Sequence, residues 1–95
     1  MSFEEFQTSV AAGQFPTGLS PGLEALWHDA RGEWEKAHGC VQNDPSPEGA
    51  WVHAYLHRKE GDAGNAAYWY TRAGRPVASG ALSTEWADLA RGLLA

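Results

Sequence analysis

A chain of 95 residues, 43% of them hydrophobic, suffices for one domain around one core and in most folds leaves no room for a deep cleft. Its formal net charge of −5 argues against nucleic-acid binding, which depends on Lys and Arg neutralising phosphates. The single cysteine, Cys40, excludes an internal disulfide, and no apolar run approaches membrane-spanning length.

In chain order, Ser2 with Glu4 and Glu5 reads as a helix start, and Phe3, Phe6 and Val10 recur at helical spacing until Gly13. The acidic opening is unlike a signal peptide, so the expected compartment is the cytoplasm. Phe15 anchors the loop that follows. Ser20 and Pro21 supply a cap and a first helical position, after which Leu23, Leu26, Trp27 and Ala30 share a face with Leu19. Gly32 breaks that helix. Glu33 opens the next, in which Trp34, Ala37, His38 and Val41 line up and His38 is read as packed beside Trp34. Asn43, Asp44 and Pro45 end it.

Ser46-Pro47-Glu48 then starts a helix in which Trp51, Val52, Tyr55, Leu56 and the stem of Lys59 fall within an arc of about 140° at 100° per residue. Gly61 is placed to take the left-handed conformation that ends this helix, and Asp62 to cap the next. There Ala63, Ala66, Ala67, Trp69, Tyr70 and Ala73 make a face of small residues interrupted by two rings, both expected in the core. Gly74 with Pro76 stops this helix. Ser83 is expected to cap a last helix striped by Trp86, Leu89, Ala90 and Leu93. Without sustained period-two alternation, no strand is expected. The expected fold is all-α: about five helices, with two helix-turn-helix hairpins in a repeat-like bundle and flanking N- and C-terminal helices.

A shift of 29 residues places Ala25 on Ala54, His28 on His57, Gly32 on Gly61 and Ala37 on Ala66, which supports an internal repeat of hairpins. The pattern Gly-x-Trp-x-x-Ala at 32 to 37, and Gly-Asp-x-x-x-Ala at 61 to 66 with Tyr70 and Ala73, resembles the turn and second helix of tetratricopeptide repeats. The run Ala66, Trp69, Tyr70, Arg72, Ala73 is likewise similar to the second helix of Sel1-like repeats. The first helices depart from both families at Glu24, His28, His53 and His57, and the period is shorter. The chain also resembles small bacterial helical proteins carrying a similar AYLHR-EGD-NA-YWY-RAG run. That likeness implies no activity.

Chemistry concentrates in the histidines. His53 and His57 are four apart on one helix face, set well away from the apolar arc and shared with Glu60; His28 has the same phase on the first helix of the other hairpin. If those first helices lie side by side, His28, His53 and His57 converge with one carboxylate, a donor set suited to zinc or another divalent metal. The alternatives are inter-helix hydrogen bonding, simple exposure, or a catalytic imidazole. Cys40 reads as a buried structural thiol, and Ser20, Ser46 and Ser83 as caps rather than nucleophiles.

Residues 1 to 50 carry eight acids against two bases, whereas residues 51 to 76 carry four bases against two acids. Arg58, Arg72 and Arg75 therefore mark a possible anion or acidic-partner site. Tyr68 lies beside Asn65 and Arg72 on a side of the aromatic helix away from the small face, so Tyr68 and Arg72 are candidate contacts for a partner or a second subunit. The expected function is a small cytoplasmic protein-interaction or ligand-binding module, with neither nucleic acid nor membrane as partner. Its contact candidates are His28, His53, His57, Arg58, Tyr68 and Arg72. The second reading is a metal-dependent or histidine-using enzyme built on His28, His53 and His57.

Overall fold

The computed structural model describes residues 1–95, which form six α-helices and no strand. They are α1 (Phe3–Ala12), α2 (Pro21–Ala30), α3 (Trp34–Val41), α4 (Pro47–Glu60), α5 (Ala63–Ala73) and α6 (Leu82–Leu94). The most extensive pairings are α4 with α5 and α2 with α3. Those four helices plus one at each end make six rather than about five. None is long and apolar enough to cross a membrane.

The fold assembles on α4. Ser46 Oγ accepts the Gly49 N–H at 3.0 Å, and Pro47 occupies the first turn. At the other end Gly61 adopts φ 90° and the Asp62 N–H donates to the His57 carbonyl, closing the helix. Asp62 Oδ1 then accepts the Asn65 N–H at 3.1 Å and starts α5. A Cβ on Gly61 meets no neighbouring atom, so the constraint there is backbone conformation alone. Gly61→Val is expected to destabilise by roughly 1 kcal/mol or more, read as a lower urea midpoint at unchanged slope.

Between its ends α4 packs against α2, α3, α5 and α6. Every residue from Val52 to His57 is consequently buried. This corrects the expectation that the histidine face lies away from the core. The apolar arc of Val52, Tyr55 and Leu56 faces the main core, but α3 and α5 cover the opposite side, where His53 and His57 stand. A helix surrounded by neighbours has no solvent face to give up.

The main core joins Phe6, Leu26, Val41, Val52, Leu56 and Leu89 with their neighbours. The N-terminal helix carries the expected capping box, in which Ser2 and Glu5 bond each other's backbone N–H. It lies on α6 through Phe3 and Phe6 against Trp86. Trp27 Nε1–H donates to Ser9 Oγ at 3.2 Å, tying α1 to α2.

Two buried acids link the helices at other points. Asp29 accepts from Tyr55 Oη at 2.7 Å and from Lys59 Nζ at 2.9 Å, whereas Glu85 accepts from Tyr70 Oη and from Arg58 at 2.8 Å. Burial next to these carboxylates pushes both tyrosine hydroxyls far up, so they remain protonated donors.

Further expectations change in detail. Ser83 does not cap α6: Ala81 holds the cap position without a side-chain bond, and Leu82 at the first helical position packs against the core. Trp69 is only half-buried, at the edge of the Ala54–Ala66–Tyr70 cluster, and Tyr70 is the ring enclosed there. Phe15 remains exposed even though it packs on Trp27 and His28. Cys40 is half-buried rather than buried, and burial raises its thiol pKa, which keeps it a thiol.

Candidate functional site

α3 and α4 bring three imidazoles together. His38 lies one turn after Trp34, whose ring stacks on it with centroids 5.0 Å apart and planes 10° apart. Trp34 is in turn held by its Nε1–H, which donates to the Leu56 carbonyl at 2.8 Å. From α4, His53 and His57 stack on each other at 4.8 Å, and His38 approaches them edge-on at 4.7 Å and 5.2 Å. One ring nitrogen from each of the three lies within 4.8 Å of the others.

The protons in this cluster do not fully pair. His53 Nε2 and His38 Nε2 lie 3.0 Å apart, so one of them carries the hydrogen between them. His53 Nδ1 is buried and meets no partner. If His53 donates through Nε2, its Nδ1 is a bare acceptor facing protein; if it carries the proton on Nδ1, that N–H has nothing to bond. Either arrangement leaves a buried polar atom unpaired, a cost of about 1–3 kcal/mol.

His57 is fixed differently. Its Nδ1 lies 2.6 Å from Glu60 Oε2, and an ionised carboxylate only accepts, so Nδ1 carries the proton. In the neutral ring Nε2 is then a free lone pair. Asp62 is near the same pair, where it also caps α5.

Burial disfavours the charged forms of His53 and His38. Desolvation, followed by the neighbouring charges of His38 and His57, lowers His53 to about 4. His38 is also lowered, first by desolvation and then by His57, against the opposing pull of Glu60 and Glu35. Trp69 covers His53 with centroids 3.9 Å apart and planes 17° apart. Arg72 lies 5.4 Å over the Trp69 ring and 5.7 Å over Tyr68, and its NH1 donates to Tyr68 Oη at 3.2 Å.

Of the residues singled out from sequence, His53 and His57 meet, but His28 does not join them. Its Nδ1 lies 3.2 Å from Glu33 Oε1, and its ring stacks on Phe15 beside Trp27. The first helix α2 meets α4 through Asp29, Tyr55 and Lys59, on the side opposite the histidines. The second helix α3 covers that face, so His38 supplies the third ring. The i, i+4 pairing of Trp34 with His38 was visible in the sequence, but it pointed only to packing.

Arg58 is engaged by Glu85 and the Gly80 carbonyl, so its charge serves the scaffold. Arg75 lies 3.8 Å over the Trp51 ring. Tyr68 and Arg72 stand at the outer surface of α5, with Tyr68 54% exposed. Comparison of the chain with protein-family models, curated proteins and solved structures finds no match.

Proposed function

We propose that this chain is a small cytoplasmic helical module, two repeat-like hairpins with flanking helices, that binds a ligand at the His38–His53–His57 cluster. Matched positions of the hairpins support the repeat-like description. Ala25, Ala37, Ala54 and Ala66 are all buried, and Gly32 and Gly61 both have positive φ. The observation that carries the binding reading is the cluster of three imidazoles, in which His38 and His53 share one proton between their Nε2 atoms and the other His53 nitrogen has no partner. A scaffold gains nothing from this arrangement, because an apolar side chain there would avoid the unpaired atom. A binding centre does gain, since a ligand taken up by these nitrogens replaces the single proton that His38 and His53 share with bonds of its own.

His53→Leu tests this reading, because leucine is close to histidine in volume and carries no polar atom. His38, half-buried, is left within reach of water. The variant is expected to fold with a stability within about 1 kcal/mol of the natural chain, since loss of the Trp69 stacking offsets relief of the unpaired nitrogen. A loss of about 3 kcal/mol in a urea melt, the scale of a core truncation, would instead make the cluster part of the scaffold.

A further inference from the structure

We infer that the ligand of this cluster is a divalent transition-metal ion of the zinc class, held by one nitrogen each from His38, His53 and His57. The inference rests on the binding reading above and names its ligand. A tetrahedral ion with metal–nitrogen bonds of about 2.05 Å places neighbouring donor nitrogens about 3.3 Å apart and their ring centroids about 5 Å apart. His38 Nε2 and His53 Nε2 stand 3.0 Å apart, and the three ring separations are 4.7, 4.8 and 5.2 Å. The His38 and His53 nitrogens therefore already stand near the spacing an ion requires, and a His57 nitrogen lies within 4.8 Å of both.

Donor chemistry narrows the class. All three ligands are imidazoles, which suit zinc, copper, nickel and cobalt, whereas magnesium and calcium require oxygen donors. Glu60 completes a carboxylate–histidine pair: it holds the proton on His57 Nδ1 and directs Nε2 to the ion, as outer carboxylates commonly do for ligating histidines. The faces of Trp34 on His38 and of Trp69 on His53 fix two of the rings. Three protein ligands leave a fourth tetrahedral position for water or an exogenous group. His38 is the half-buried member of the set and marks the side from which an ion enters.

The test uses the full chain without a histidine tag. Zn²⁺ titration by calorimetry is expected to give one ion per chain, and Co²⁺ the visible absorption of a tetrahedral site. His38→Gln, chosen to keep the side-chain bulk, and His57→Ala should each lower Zn²⁺ affinity at least tenfold. Glu60→Gln should lower it about 10- to 100-fold through the orientation of His57. His28→Ala should leave it unchanged. Circular dichroism checks that each variant is folded.

Absence of binding to the natural chain, or binding unaffected by His38→Gln, overturns the metal assignment. If His53→Leu is then as stable as the natural chain, the binding reading survives and only its ligand is wrong. If His53→Leu has also collapsed in stability, both fall together.

Discussion

Arg58→Met is expected to cost the fold about 3–5 kcal/mol, the penalty for removing one partner of a buried ion pair. Glu85 is only 8% exposed, and its carboxylate is held by Arg58 at 2.8 Å and by the Tyr70 hydroxyl. Methionine matches the length of the arginine stem but leaves the carboxylate with one neutral donor and frees the Gly80 carbonyl as well. The diagnostic comparison is with the double change Arg58→Met, Glu85→Met. Removing both charges should recover part of the loss, because no unpaired ion remains, although the Tyr70 hydroxyl then loses its Glu85 acceptor. Urea melts of the four proteins give the coupling directly. A single variant within about 1 kcal/mol of the natural chain would mean that the pair is solvated and behaves as a surface ion pair.

Arg58 also shows what sequence can and cannot convey. Its place among the bases of residues 51 to 76 suggested an anion site, but a charge count carries no information about the acid that folding brings to it. Glu85 is 27 residues away and arrives on α6. Local signals fared differently. The left-handed Gly61, the Asp62 cap, and the Ser20 and Ser46 caps ahead of Pro21 and Pro47 were legible because each involves residues no more than five apart.

The histidine cluster falls between these cases. His53 and His57 share a face by helical spacing alone, and their proximity follows from residues four apart. The third ring required knowing which helix covers that face. Repeat phase favoured His28 on α2, but α3 packs there and presents His38. Trp69 misled for a related reason. Its phase beside Ala66 and Ala73 suggested enclosure in the core, but it lies over His53 at the margin of the hairpin and Tyr70 takes the buried position.

The buried imidazoles make the fold sensitive to mild acid. His53 has its pKa lowered from an ordinary 6.5 to about 4 in the folded chain. Below pH 6.5 the unfolded chain binds a proton at this residue and the folded chain does not, so stability falls with pH. The loss begins near pH 6.5, is complete near pH 4, and amounts to roughly 3 kcal/mol at 1.36 kcal/mol per pKa unit. His38 is lowered too and adds to the loss in the same direction. Glu5 and Glu33, held below their ordinary 4.5 by Ser2 and His28 respectively, act at lower pH, so they do not produce this slope. Urea midpoints of chelator-treated protein at pH 7, 6, 5 and 4.5 should therefore decline steadily. In His53→Leu the decline should flatten, leaving the smaller part due to His38. An equal slope in natural chain and variant would place the acid sensitivity elsewhere and would mean that His53 is not held neutral by its burial.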